Sequence, residues 1–310
     1  LVKLVEKEFS SLFSDIIYST KNMKRREFNK FLISSLAVPS VVSMSSFTNA
    51  PYVPAMGCQT DLENAAAVKA AGGSFIGLSV AGWLDPEGNM SEFQGRIAEA
   101  AKSPLPVIVC NSFIRRKDLH VTGPDANHDE VITYVEKAFQ RAKLANVKMI
   151  NFGSSGARNI PEGFSYEEAI NQFISALKRM GPLAKKYGVT VGIEQLQSRE
   201  CNFINRISEV ERVVRGANHP NIRGVADFYH MAAEGDTPED LAKAADLLMH
   251  VEIAELESRR MVGVSGQDFR PYLKVLKKAK YKGALSVEGK FEVSELASGF
   301  AELKKQWLEA

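Results

Sequence analysis

The chain has 310 residues, 45% of them hydrophobic, enough to bury one large core or two smaller ones. Its formal net charge of +2 is uneven: the first 50 residues hold 7 Lys and Arg against 4 Asp and Glu, so the remaining 32 basic and 33 acidic residues sum to −1. A body with no basic excess argues against a nucleic-acid partner, and no run approaches the roughly 18 apolar residues that a membrane span needs.

At the front, Met23-Lys-Arg-Arg-Glu-Phe-Asn-Lys30 opens a positive patch. A moderately apolar, Ser-rich stretch from Phe31 to Met44 follows, then a small-residue zone at Ser46-Phe-Thr-Asn-Ala50. With Arg25 and Arg26 paired and Phe28 and Lys30 behind them, this segment resembles a twin-arginine export signal. Residues 1–22 are expected to be an upstream extension, 23–50 the signal peptide and 51–310 the folded body. The expected location is the periplasm, with the cytoplasm as the alternative.

From Tyr52 onward, short β-rich runs alternate with helical patterns. The strands expected are Tyr52–Cys58, Phe75–Val80, Pro106–Asn111, Lys148–Phe152, Val189–Glu194, Ile222–Asp227, His250–Ala254 and Ala284–Glu288. Helices are expected near 61–72, 90–102, 128–146, 165–187, 206–216, 237–248, 268–280 and 292–308, from apolar residues at helical spacing. Ser165 followed by Glu168 is a capping signature, and Gly72, Gly188 and Gly283 each precede a strand. Eight βα units predict a single-domain α/β fold, a (β/α)8 TIM barrel. An open doubly wound sheet would want a Gly-rich phosphate turn after its first strand, and Gly57-Cys-Gln-Thr-Asp-Leu is not one. Cys58, Cys110 and Cys201 lack the spacing of a disulfide framework or zinc knuckle and read as small buried hydrophobes.

Four of the later strands close on an acid: Glu194, Asp227, Glu252 and Glu288. In a parallel barrel the C-terminal strand ends converge on the face that carries active sites. Four carboxylates there would repel one another unless a cation neutralised them. A structural salt bridge, for Glu194 with Arg199, is the plain alternative for any one of them. His230 lies three residues past Asp227 and can bind a substrate oxygen. His250 and Glu252 are two apart on one strand and share a face. Glu252 is nearer the rim and is the expected ligand. His250 is the expected hydrogen-bonding support, or the ligand in its place.

The stretches Glu194-Gln-Leu-Gln…Glu200-Cys-Asn-Phe-Ile-Asn205, Ala226-Asp-Phe-Tyr-His230, His250-Val-Glu-Ile-Ala-Glu255…Arg259-Arg260 and Ser286-Val-Glu288 resemble the xylose-isomerase-like TIM barrels called sugar phosphate isomerases/epimerases. The resemblance spans residues 52–310, including Val109-Cys-Asn-Ser-Phe113 and Phe152-Gly-Ser-Ser-Gly-Ala-Arg158. It implies one divalent ion, Mn, Mg or Co, held by Glu194, Asp227, Glu252 and Glu288. It also implies Glu194 and Glu288 as acid/base partners, with Glu200, His230 and Arg259 on substrate hydroxyls. Glu252 falls where the family's variable ligand is usually His or Gln, which shifts the metal preference toward hard cations. Gln195 and Gln197 also depart from the family's usual Pro and Asn.

The activity so implied is a metal-dependent isomerase or epimerase of sugars or keto-sugars, working by proton transfer through an enediolate. An inosose-type dehydratase is the alternative on the same scaffold. An apurinic-endonuclease-like nuclease and a non-catalytic carbohydrate-binding barrel rank lower, given five His, a near-neutral body and both glutamates in place. The expected partner is a small carbohydrate, with no nucleic acid, no membrane after signal removal and a homo-oligomer left open. Arg158, Arg259 and Arg260 are the only cations that suggest themselves for a substrate phosphate.

Overall fold

Eight parallel strands close on themselves, each neighbouring the next in sequence and the last pairing with the first. They are β1 Met56–Gln59, β2 Phe75–Ser79, β3 Val107–Asn111, β4 Met149–Phe152, β5 Thr190–Glu194, β6 Ile222–Asp227, β7 Leu248–Ile253 and β8 Ala284–Val287. The computed structural model describes residues 51–310, which form one unit. The expectations for residues 1–22 and for the leader around Arg25 and Arg26 lie outside the described residues.

The eight-stranded barrel and its order are those expected from the sequence; several strand ends differ by one residue, and two strand starts move further. β1 begins at Met56 rather than Tyr52, since Pro54 has no N–H to give to a ladder. β7 begins two residues before His250, at Leu248, which places His250 in mid-strand. The register then sets Asp227 beside Glu252 and Glu252 beside Ser286.

The helices form where apolar spacing and caps agree. The helix His128–Leu144 buries Val131, Tyr134, Val135, Ala138, Phe139 and Ala142 along one face, and Asn127 accepts from the N–H of Glu130. The helix Tyr166–Tyr187 starts on Ser165, whose hydroxyl accepts from the N–H of Glu168 at 3.4 Å. It ends at Gly188, whose φ of +70° suits a residue without Cβ. Phe113, Phe139, Phe152, Phe173 and Phe203 make a chain of ring contacts at 5.3–5.8 Å beneath the loops after β3, β4 and β5. That rigid floor holds one side of the barrel mouth. All three cysteines are buried and unpaired, in keeping with their reading as small hydrophobes. Among the described residues, no helix is long and apolar enough to cross a membrane.

Candidate metal and active site

Glu194 is the last residue of β5, Asp227 the last of β6, Glu252 the penultimate residue of β7, and Glu288 the first after β8. The barrel therefore brings all four to one end, where one oxygen from each lies within 4.8 Å of the others. Close packing at this point is possible because residue 153 is glycine: a Cβ there would meet Glu194 Oε2 at 2.5 Å. Two unit charges 4.8 Å apart repel by about 3–4 kcal/mol at an effective dielectric constant of about 20. A single neighbouring cation cannot offset four such charges.

The neighbouring cation is Arg259. Its Nη2 donates to Glu288 Oε2 at 2.6 Å and lies 3.6 Å from Asp227 Oδ2, while Nη1 is 3.7 Å from Glu200 Oε1. The guanidinium also covers the Tyr229 ring at 4.7 Å. Ser258 and Arg259 both have positive φ, +59° and +52°, at a backbone cost on the order of 1–3 kcal/mol each. The loop holds that shape because the buried Glu255 carboxylate accepts from the N–H groups of Gly263, Ser265, Gly266 and Gln267. Glu255 is thus a loop anchor.

Two amides that sequence reasoning missed complete the acid cluster. Gln59, ending β1, donates through Nε2 to Glu252 Oε1 at 3.1 Å and to Asn111 Oδ1 at 2.9 Å. Asn111, ending β3, donates through Nδ2 to Glu252 Oε1 at 2.9 Å and to Glu288 Oε1. Their signal was available, since each is a polar residue closing a strand at the same level as the acids. Asp227 Oδ1 accepts from the N–H groups of Tyr229 and His230, capping the short helix Phe228–Glu234. These bonds leave Asp227 Oδ2 and Glu252 Oε2 buried with no hydrogen-bond partner.

His230 lies in the first turn of that helix rather than on a free loop. Its Nδ1 accepts from the N–H of Gln197 at 3.1 Å, so the neutral ring carries its proton on Nε2. Nε2 faces Asp227 Oδ2 at 3.7 Å and Glu194 Oε1 at 3.9 Å. Burial first, then Arg259, holds the His230 pKa down at about 4, so near neutral pH the ring is an uncharged donor. A donor at Nε2 suits a substrate oxygen better than a metal.

His250 does not give the hydrogen-bonding support expected of it. Its Nε2 stands 4.0 Å from Glu252 Oε1, and neither ring nitrogen has a partner. The ring packs edge-on to Phe75 at 6.3 Å, and burial holds its pKa at about 3. Mid-strand placement inside the lumen, below the level of the carboxylates, accounts for this. The weighed Arg199 bridge to Glu194 is absent among the described ion pairs. Arg158 is the nearby cation, and it is buried with Nη1 on the carbonyls of Phe152 and Glu194. It serves the backbone and cannot meet a phosphate. Arg260 is likewise engaged, with Glu295.

Burial pushes Glu194 well above the usual carboxylate range, and the charges of Glu252, Glu288 and Asp227 push it further. Glu252 is raised in the same way, by burial and then by Glu288 and Asp227. Burial also raises Glu288, Arg259 opposing. Asp227 rises from 3.8 to about 6 by burial, with Arg259 and the helix N–H groups opposing. Clustered carboxylates with orphaned oxygens and a raised affinity for protons fit a divalent cation. The four would hold it through oxygen alone.

A stability signature follows for the metal-free protein. The folded state binds these protons more tightly than the unfolded chain, so the stability they contribute is full below the unfolded pKa values. It is lost as pH rises through about 6 for Asp227 and higher for Glu194 and Glu252. The move from 3.8 to about 6 alone is worth about 3 kcal/mol. His230 and His250 act in the opposite sense, but only below their unfolded value of about 6.5. In EDTA, the melting temperature is expected to rise as pH falls from about 8 to about 6.5, and added Mn²⁺ should erase that slope. A flat or inverted profile in EDTA would contradict the cluster's electrostatics.

Glu200, His230, Arg259, Glu194 and Glu288 line one cleft of about 490 Å³. All three residues expected on substrate hydroxyls thus face the acids expected to do acid/base work.

Among known proteins, a Bacillus licheniformis protein named inosose isomerase is 25% identical over 176 residues, which are 53% of this chain and 62% of that one. The chain thus spans less than two thirds of that curated relative. The structure of 3-keto-D-glucoside 4-epimerase YcjR from E. coli superposes with a TM-score of 0.68 at 19% identity, covering 82% of this chain and 100% of that one. The IOLI protein with a bound zinc atom superposes with a TM-score of 0.61 at 18% identity, covering 81% and 93%. Residues 65–308 match the family described as xylose isomerase-like TIM barrel, and with its closed eight-stranded parallel barrel the chain belongs to that family.

Proposed function

We propose that this chain is a divalent-metal-dependent sugar isomerase or epimerase that moves a proton on a carbon next to a carbonyl group. The observation that carries this reading is the pair Glu194 and Glu288. Both belong to the four-carboxylate cluster, and the environment of each raises its affinity for a proton. A carboxylate tuned upward is suited to take a proton from carbon and hand it back. The names of the inosose isomerase relative and of the epimerase with the same fold support the substrate class.

A divalent ion bound by Glu194, Asp227, Glu252 and Glu288 would supply positive charge to steady the anionic oxygens of an enediolate. Four carboxylate donors favour a hard cation such as Mn²⁺ or Mg²⁺, and a protein of the same fold carries zinc. The chain's own groups do the rest. His230 donates its Nε2 proton to a substrate hydroxyl, and Arg259 and Glu200 bind others from the open side of the cleft. Glu194 and Glu288 take and return the proton. Gln59 and Asn111 hold Glu252 and Glu288 in place, so that little reorganisation accompanies the reaction.

The test is an NMR screen of keto-sugars and inososes in D₂O with Mn²⁺-loaded and then metal-stripped protein. Deuterium should enter the carbon beside the carbonyl only with the loaded protein. Exchange that ignores the metal, or none across the panel, would overturn the reading. A product lighter by one water would move the chain to the elimination chemistry of a dehydratase.

A further inference from the structure

Gln197 joins three of the groups expected on the substrate, although it does not line the cleft itself and is only 8% exposed. Its backbone N–H donates to His230 Nδ1 at 3.1 Å. Its carbonyl accepts from the N–H groups of Glu200 and Cys201, at 2.9 and 3.2 Å, and so closes the turn that presents Glu200. Its side-chain Nε2 donates to Glu200 Oε1 at 2.8 Å and to the Tyr229 hydroxyl at 3.1 Å. Neither hydrogen of the amide is then spare.

These bonds are part of a closed ring of contacts. Glu200 Oε1, the oxygen that meets Gln197, also stands 3.7 Å from Arg259 Nη1, and the Arg259 guanidinium covers the Tyr229 ring at 4.7 Å. Gln197, Glu200, Arg259 and Tyr229 thus hold one another in turn, from the loops after β5 and β7 and the helix after β6. The β5 loop is itself tied down: Asn205 Nδ2 donates to the carbonyls of Leu196 and Cys201, both at 2.6 Å. Glu200 needs such a tether, because its side chain is 40% exposed and free rotamers are lost on binding at an entropic cost. A part-exposed ion pair with Arg259 at 3.7 Å contributes little by itself.

We propose that Gln197 is the positioning residue that sets where Glu200 and Arg259 meet the substrate's hydroxyls, an inference that rests on the sugar reading of the cleft. Glutamine is needed rather than asparagine, because an amide about 1.5 Å shorter in reach cannot meet both Glu200 and Tyr229. Gln197 makes no hydrogen bond to any of the four clustered carboxylates, so it acts on binding and leaves the ion alone. Side chains already ordered before the substrate arrives need not be ordered by it.

The experiment compares the Mn²⁺-loaded parent with Gln197→Leu, Gln197→Asn, Glu200→Ala and the double variant Gln197→Leu with Glu200→Ala. The probes are D-fructose, D-tagatose and 2-keto-myo-inositol. Dissociation constants come from calorimetry, and KM and kcat from the rate of deuterium entry. Gln197→Leu should raise the dissociation constant and KM about tenfold, as for a lost hydrogen bond to a charged group, while kcat changes by about threefold or less. Gln197→Asn should fall between the parent and the leucine variant. The double variant should bind no more than about twofold more weakly than Glu200→Ala alone, since Gln197 acts through Glu200. Bound manganese per chain should match the parent throughout. Fully additive losses, a Gln197→Leu affinity equal to the parent's, or manganese lost along with affinity would overturn the proposal. If the parent still exchanges deuterium in those cases, only the role of Gln197 falls. If the variants lose affinity as expected while the parent exchanges no probe, the proton-transfer reading falls instead. A parent that binds none of the probes overturns both.

Discussion

Glu288→Gln is expected to lower the rate of deuterium entry into an exchanging substrate by about 10³-fold, within the range of about 10²–10⁴ usual for a general acid/base group. The change keeps the shape of the side chain, and Asn111 Nδ2 and Arg259 Nη2 hold it from two sides in the parent protein. An amide in that place keeps one acceptor oxygen for one of the two donors and cannot take a proton from carbon. Because Glu288 also belongs to the cation-binding set, the rate is to be expressed per bound Mn²⁺ by elemental analysis of the same sample. Glu194→Gln, on the opposite side of the cluster, should behave alike if the two glutamates divide the work of removal and return. A per-metal rate within tenfold of the parent in both variants would remove them from the chemistry.

The second large effect concerns the metal. Glu252→Ala is expected to weaken Mn²⁺ binding more than about 100-fold in isothermal titration, since it removes a buried oxygen, Oε2, that no protein group uses. Asn111→Ala should cost about 10–100-fold, the usual range for a group that orients a ligand from behind. His250→Ala should cost less than Asn111→Ala, because His250 makes no hydrogen bond to Glu252 and stands 4.0 Å from it. Its loss should show in thermal stability, through the space opened beside Phe75. The order of the three affinities is the decisive result. If His250→Ala is the variant that loses the ion, the site contains an imidazole and the all-oxygen set is wrong.

The sequence alone determined the barrel and the level of its acids. Those features are local: a strand shows itself by a short apolar run, a helix by its spacing and caps, and Glu194, Asp227, Glu252 and Glu288 by closing their strands. Tertiary structure decided how the acids are held. Gln59 and Glu252 lie 193 residues apart, and Asn111 and Glu288 177, so no local pattern links them. Only closure of β8 onto β1 brings these groups together. The same closure separated residues that looked equivalent in the chain. In sequence, Arg158, Arg259 and Arg260 are equally the candidates for a substrate phosphate, yet Arg158 ends on backbone carbonyls, Arg260 on Glu295 and Arg259 on the acid cluster. His250 and Glu252 share a strand face, but depth in the lumen gives the imidazole an apolar neighbour and the carboxylate two amides. A residue's type and spacing fix which face it points to, whereas its partners are set by how far apart in sequence the fold can reach.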